Sequence, residues 1–178
     1  MELLIPAAGF DDPLALLGAC HRRIERFCVT LERLVTHLEL VGSDVDARYA
    51  ARRVISYFDK AAPHHHADEE VDLLPLLRLR VEAEDVSTIE NWAERISADH
   101  YTLDTVWMEL REELQQIVNG KVNSLDAAIK FIEMERKHYQ FEDQKVFSLA
   151  GKILQGPDLQ RLGRAISNRR NCPYPEDV

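Results

Sequence analysis

Two matching stretches of this 178-residue chain, His65-x-x-x-Glu69 and His138-x-x-x-Glu142, place a glutamate four residues after a histidine. Positions four apart on a helix share one face at about 6 Å, so each stretch aims an imidazole and a carboxylate at the same point. Those side-chain types at that spacing make a metal-binding pattern. The surroundings repeat too. His65-His66-Ala67-Asp68-Glu69-Glu70 is matched by His138-Tyr139-Gln140-Phe141-Glu142-Asp143, and Ala19-Cys20-His21-Arg22-Arg23-Ile24-Glu25 by Ala98-Asp99-His100-Tyr101-Thr102-Leu103-Asp104. The chain reads as two helical hairpins, each with one histidine on its first helix and a His-x-x-x-Glu on its second. Such an internal repeat implies a pseudo-twofold arrangement about a shared centre.

The elements that must position these groups are helices. Asp11-Asp12-Pro13 offers an N-cap and a first-turn proline, after which Leu14, Leu17, Ile24, Cys28, Leu31, Val35 and Leu38 recur at spacings of three and four, with His21 in the gap. Gly42 closes this helix and Ser43-Asp44 opens the next, whose seam runs Ala51, Ile55, Phe58, Ala62, His65, Glu69, Leu73, Leu76. A capping box, Ser87-Thr88-Ile89-Glu90, predicts the start of a third helix. Its seam is Ile89, Ala93, Ile96, His100, Leu103, Trp107, Leu110, Leu114 and Ile117, stopping at Asn119-Gly120. A fourth starts near Asn123-Ser124, carries Ala128, Phe131, Glu135, His138, Glu142, Val146, Leu149 and Ile153, and ends at Gly156-Pro157. A short fifth helix, about 158–170, and a proline-rich tail follow. Short connections predict an all-α, up-down-up-down four-helix bundle over about 13–155, with the whole of 1–178 forming one domain.

Besides Glu135, six polar side chains therefore stand where the seams demand apolar ones. A buried imidazole or carboxylate without partners costs several kcal/mol. A single such histidine is usually a satisfied core residue, but six misfits at matching depth on four helices are another matter. Cations between His21, His65, Glu69, His100, His138 and Glu142 would offset the carboxylate charge and use the imidazole lone pairs. Four imidazoles and two carboxylates exceed what one tetrahedral ion takes, whereas two ions bridged by both carboxylates use them all. Ligand type does not choose the element: iron, manganese and zinc all suit this donor set.

At these residues, from about Pro13 to Ile153, the chain resembles the hemerythrin-like family, the HHE cation-binding domains. The resemblance rests on His21, His65-x-x-x-Glu69-Glu70-x-x-Leu73-Leu74-Pro75, His100 and His138-x-x-x-Glu142. It implies a non-heme di-iron centre, oxo- or hydroxo-bridged, with Glu69 and Glu142 bridging, His21 and His138 on one iron, and His65 and His100 on the other. Oxygen-carrying members have a histidine four past the third-helix ligand where this chain has Asp104. They also have an aspartate five past the fourth-helix histidine, where Glu142 at four competes with Asp143 at five. The repeat favours Glu142, which matches Glu69. The pattern looks more like the four-histidine members, which implies binding or reaction of dioxygen, nitric oxide or peroxide in sensing, detoxification or iron handling. The alternative is a redox enzyme of iron-sulfur cluster repair or of nitric oxide or peroxide reduction.

Composition narrows the classes. A net charge of −9 argues against nonspecific binding to nucleic acid or anionic membranes. No apolar run approaches the roughly eighteen residues of a membrane span, and Met1 to Phe10 lacks the basic start and long apolar stretch of a signal peptide. Cys20, Cys28 and Cys172 are odd in number and lack CxxC spacing, as expected of reduced structural cysteines in the cytoplasm.

Other residues near the motifs carry weaker expectations. His64 and His66 point about 100° away from His65 on a helix and are expected to be partly exposed, and His37 to lie at the surface. Pro63 removes a backbone hydrogen bond and predicts a kink or bulge just before His65. Glu135, one turn before His138, is a supporting acceptor, an extra oxygen ligand or a solvated edge. Glu25 and Asp104 are expected to face sideways, in reach of imidazole N–H groups. Tyr101, Tyr139, Trp107, Phe27 and Phe141 crowd the histidines, where a phenol would reach a bound diatomic ligand. Cys20 is expected to pack.

Overall fold

The computed structural model describes residues 9–121 and 124–175. Among them there is no strand, and four long helical arms form an up-down-up-down bundle. The first arm is α1 (Pro13–Leu40). The second is α2 (Val45–Phe58), α3 (Ala61–Ala67), a π-helical segment Asp68–Leu73 and α4 (Leu74–Arg80). The third is α5 (Val86–Val118); the fourth is α6 (Asp126–Phe141), a second π segment Glu142–Phe147 and α7 (Ser148–Ile153). Helix α1 packs on α2 and α6, and α5 packs on the same two, closing the ring. A further helix, α8 (Gly156–Arg169), lies against α1 and the first π segment. No helix among the described residues is long and apolar enough to cross a membrane.

Local chemistry explains most of these boundaries. Asp12 caps α1 by accepting from the Ala15 amide (3.1 Å), ahead of Pro13. Asp44 caps α2 in the same way through Ala47 (2.8 Å), and His37 Nε2 lies 2.9 Å from the same carboxylate. Gly42 and Gly120 end their helices with φ of 89° and 78°, where a side chain would strain the backbone. The break expected at Pro63 falls one turn earlier, at Asp59–Lys60. Pro63 cannot donate to the Asp59 carbonyl and its ring crowds it, so the ladder parts there and Pro63 joins the first turn of a new helix.

Three expected boundaries move. The 87–90 capping box does not cap: a 3-10 turn Ala83–Asp85 leads straight into α5 at Val86, and Glu90 instead accepts from Arg78 (2.9 Å). Gly156-Pro157 begins α8 rather than ending the fourth arm, because the capping box lies at Gln155 and Asp158. That helix therefore spans 156–169, not 158–170. Asn123 lies outside the described residues, as do Met1 to Ala8, and α6 starts at Asp126.

Two apolar clusters fill the bundle, and the polar seam residues divide them. One holds Ile24, Phe58, Leu103, Trp107, Phe131 and Ile132; the other holds Leu17, Leu73, Leu77, Ile96, Val146 and Leu162. Along every arm a histidine or a His-Glu pair separates the two: His21 between Leu17 and Ile24, His65 and Glu69 between Phe58 and Leu73, His100 between Ile96 and Leu103, His138 and Glu142 between Ile132 and Val146. The six polar side chains thus form one layer across the bundle.

Candidate metal centre

All six side chains are buried within that layer. Both glutamates sit in or at the edge of a π segment, at matching places in the repeat. A π turn inserts an extra residue into the α-helical ladder and is favoured mostly at functional sites. Pro75 follows the first segment, yet the second forms without any proline, so proline is not the shared cause.

The ligand atoms fall into two groups of four that share both carboxylates: His21, His65, Glu69 and Glu142, and Glu69, His100, His138 and Glu142, each with its atoms within 4.8 Å of one another. Glu69 Oε1 lies 3.3 Å from His65 Nε2 and 3.6 Å from His21 Nε2, while its Oε2 lies 3.5 Å from His100 Nε2. Glu142 Oε2 stands between His21 Nε2 (3.2 Å) and His138 Nε2 (3.3 Å). Both carboxylates therefore reach imidazoles of both groups. The imidazoles divide as His21 with His65 and His100 with His138, with ring centroids 4.8 and 4.6 Å apart. This corrects the allocation of His21 with His138 and His65 with His100 that the family resemblance implied.

The donor set fits a pair of cations. His21 Nε2, both ring nitrogens of His65, His138 Nδ1 and all four carboxylate oxygens of Glu69 and Glu142 are buried and make no hydrogen bond. Native interiors leave few such atoms orphaned, and eight in one layer need a partner that the protein does not supply. His100 Nε2 and His138 Nε2 face one another at 2.9 Å, lone pairs converging on one point. Without cations the electrostatics are strained. Burial and the adjoining Glu142 push the Glu69 carboxyl well up. Burial, then the neighbouring histidines, push His65 well down, and burial with His138 and His21 takes His100 to about 3. Burial pulls His21 down as well, but Asp143, Glu142 and Glu69 outweigh it and hold the imidazole at about 11.

An outer ring of acids orients two of the imidazoles. His21 Nδ1 meets Asp143 Oδ1 at 2.8 Å, and His100 Nδ1 meets Glu70 Oε1 at 2.5 Å. Each acid directly follows a shared glutamate, and each reaches across to the other hairpin. The exchange is reciprocal, as the pseudo-twofold requires. These roles escaped the sequence reading, although the signal was present: both copies of the motif continue Glu-acid. Asp143 is thus not a rival to Glu142; it is 47% exposed at the rim while Glu142 is fully buried. His138 Nδ1 lies 3.6 Å from Asp99, too far for a hydrogen bond.

Several neighbours differ from expectation. Glu25 faces no imidazole; it accepts from Arg136 and from the Tyr139 hydroxyl (2.7 Å). That phenol is thereby turned from the centre, and Tyr101 is exposed. Phe147 stacks on His21 at 4.9 Å. His64 is exposed, but His66 stacks on His100 at 3.7 Å. Asp104 lies 3.9 Å from His66 Nδ1. Glu135 is no solvated edge but 3% exposed. Asp68, in the first π segment, is wholly buried and held by Arg169 and Arg170 from the end of α8. Cys20, beside His21, is half-buried, and burial raises its thiol pKa.

A model of the hemerythrin HHE cation binding domain matches residues 12–150, well over half of the chain. The chain belongs to that family. It is also similar along nearly its whole length to an uncharacterized protein of Haemophilus influenzae, with 29% identity over 174 residues that cover 96% of this chain and 98% of the relative.

Proposed function

We propose that the protein is a non-heme di-iron protein whose centre binds or reacts with dioxygen, nitric oxide or peroxide. His21 and His65 would hold one iron and His100 and His138 the other, with Glu69 and Glu142 within reach of both. The observation that carries this reading is the pair of four-residue donor groups sharing both carboxylates in a layer of orphaned buried atoms. Bound iron would supply redox and Lewis-acid chemistry there. The protein's own groups hold the ligands in register: Asp143 and Glu70 fix the His21 and His100 rings, and Phe147 covers the outer face of His21. Six side-chain donors shared between two irons would leave room for an exogenous ligand, which suits small-molecule binding better than a purely structural role.

The whole chain acts as one domain on this reading, with α8 clamped onto the bundle through Asp68. Three free thiols and a net charge of −9 support a cytoplasmic protein without affinity for nucleic acid. Manganese or zinc would substitute in the same donor set. Elemental analysis with an electronic spectrum of protein purified without added metal tests the proposal. Two irons per chain with an oxo-bridge absorption are expected; one ion, or tightly held zinc inert to dioxygen and nitric oxide, would overturn it.

A further inference from the structure

The His100–His138 side of the layer backs onto a cavity. Where the second arm breaks between α2 and α3, Phe58, Leu103, Trp107 and Phe131 wall a space of about 140 Å³ whose polar lining includes His66 and Glu135. A water in liquid takes about 30 Å³, so this space admits a few small molecules. It is well below the roughly 300 Å³ at which pockets for larger organic ligands begin.

The polar lining is arranged unequally. Glu135 is 3% exposed, and among the described residues no donor hydrogen-bonds its carboxyl. Unlike the oxygens of Glu69 and Glu142, those of Glu135 are not sealed in the layer but open onto the cavity, where a small guest, water included, is the partner within reach. Glu135 also stands one helical turn before His138 on α6. His66 forms the inner wall: its ring lies flat on His100 and edge-on to His138, with centroids 3.7 and 6.3 Å away. Asp104, 68% exposed, also lines the cavity and sets a carboxylate on its outer side, which disfavours the entry of anions.

We propose that this cavity is the chamber from which a small neutral oxygen or nitrogen species, of the dioxygen, nitric oxide or hydrogen peroxide class, reaches the His100–His138 half of the centre, with His66 as the wall each of them passes and Glu135 as the hydrogen-bond partner of hydrogen peroxide, the one among them that donates. The proposal rests on the dinuclear reading above. It gives Glu135 a use that the ligand set does not, and it accounts for a buried acid facing a partly apolar space.

The space and the residue are tested separately. Xenon-pressurised crystals of the metal-free wild-type protein are expected to show xenon in the cavity. Ala62, which lines the cavity from α3 and carries no donor atom, is replaced by the plugs Ala62→Leu and Ala62→Phe. The folded plug variants should lose the xenon, keep two irons, and react with nitric oxide in the reduced state about tenfold more slowly. Glu135→Leu should keep the xenon and the nitric oxide rate but react with peroxide about tenfold more slowly, with Glu135→Gln restoring that rate. Xenon missing from the wild-type cavity, or a plugged protein without xenon reacting at the wild-type rate, overturns the chamber. Glu135→Leu matching wild type with peroxide overturns the role of Glu135. Wild-type protein that seats xenon yet binds no metal overturns the dinuclear reading, whereas iron-loaded protein without xenon in the cavity overturns the chamber alone.

Discussion

The two halves of the centre carry equivalent ligands but different walls. The His21–His65 half is closed: Phe147 stacks on His21, and the π segment beneath His65 is pinned where Asp68 meets Arg169 and Arg170 of α8. The His100–His138 half is open: His66 lies on His100, and behind it is the 140 Å³ cavity with Glu135. Each half has one imidazole fixed by a rim acid and one whose Nδ1 is unpartnered, His65 and His138. The internal repeat sets the six donor side chains symmetrically, and residues that differ between its copies, His66 against Tyr139 and Asp68 against Phe141, make their surroundings asymmetric. On the dinuclear reading, holding ions falls to both halves, while admitting a ligand falls to one.

The largest effect should come from a residue common to both halves. Glu69→Gln keeps the shape but removes a shared negative charge, so both ions should be lost or bound far more weakly, as metal analysis will show. Calorimetric unfolding separates charge from metal. The metal-loaded wild type should far exceed the variant, because a ligand that binds only the folded state stabilises it by mass action. Without metal the order should reverse by roughly 1–3 kcal/mol, since the variant no longer buries a carboxyl that makes no hydrogen bond and adjoins a second acid, Glu142, with His21 as its partial offset. A metal-free variant less stable than metal-free wild type would mean that Glu69 belongs to the core for its own sake.

The closed half should fail through α8. Removing both partners of Asp68 with Arg169→Ala and Arg170→Ala leaves a fully buried carboxylate alone, at a cost of about 3–5 kcal/mol in chemical denaturation. Iron should then leave the His21–His65 pair first, since the same π segment presents Glu69. A double variant as stable as wild type would show that α8 is an ornament to this half rather than its lid.

Most of the layer was legible in sequence because helical seams are periodic and a polar residue in one is conspicuous. His21, His65, Glu69, His100, His138 and Glu142 announced themselves that way, and all six meet. What stayed hidden depends on tertiary contacts. Asp68, off the seam, is buried because α8 folds back on it, and Glu135, although on the seam, faces a space that exists where the second arm breaks at Asp59–Lys60; neither surrounding follows from local pattern. Ligand pairing was equally out of reach, since it depends on how four helices turn about their axes. The π segments widen the turns at both glutamates, and nothing in residue type alone marks where an extra residue enters the ladder.

A smaller effect distinguishes the halves through their rim acids. Carboxylates that orient metal-bound imidazoles are typically worth about 10- to 100-fold in metal affinity. Asp143→Ala should weaken the ion held by His21, and Glu70→Ala the ion held by His100. Competition with a chelator in each variant should release one ion early and the other at the wild-type concentration. Simultaneous loss of both ions in both variants would show that the bridges couple the halves too tightly to be resolved.

Titration of the metal-free protein should separate the halves by sign. Burial lowers His21 but its three carboxylates hold it at about 11, against an ordinary 6.5. Its proton thus stabilises the fold fully below pH 6.5, and that contribution fades as pH rises toward 11. His100 is the reverse: burial, His138 and His21 take it to about 3, so the stability present above 6.5 is lost as pH falls toward 3. Imidazole NMR resonances should show His21 still protonated at pH 9 and His100 still neutral at pH 5; two histidines titrating together near 6.5 would erase the distinction.

The smallest expected effect is at Asp104. It occupies the position four past His100 where oxygen-carrying relatives of the family have a histidine, yet here it is 68% exposed and 3.9 Å from His66 rather than in the donor layer. Asp104→Ala should accordingly leave two ions bound and stability within about 0.5 kcal/mol, the usual range for a surface change. Only access to the open half should respond: with a carboxylate removed from its outer side, a negatively charged probe such as azide should reach the loaded centre faster, while nitric oxide should arrive at the wild-type rate. Loss of an ion in this variant would move Asp104 into the coordination sphere and make the open half as closed as the other.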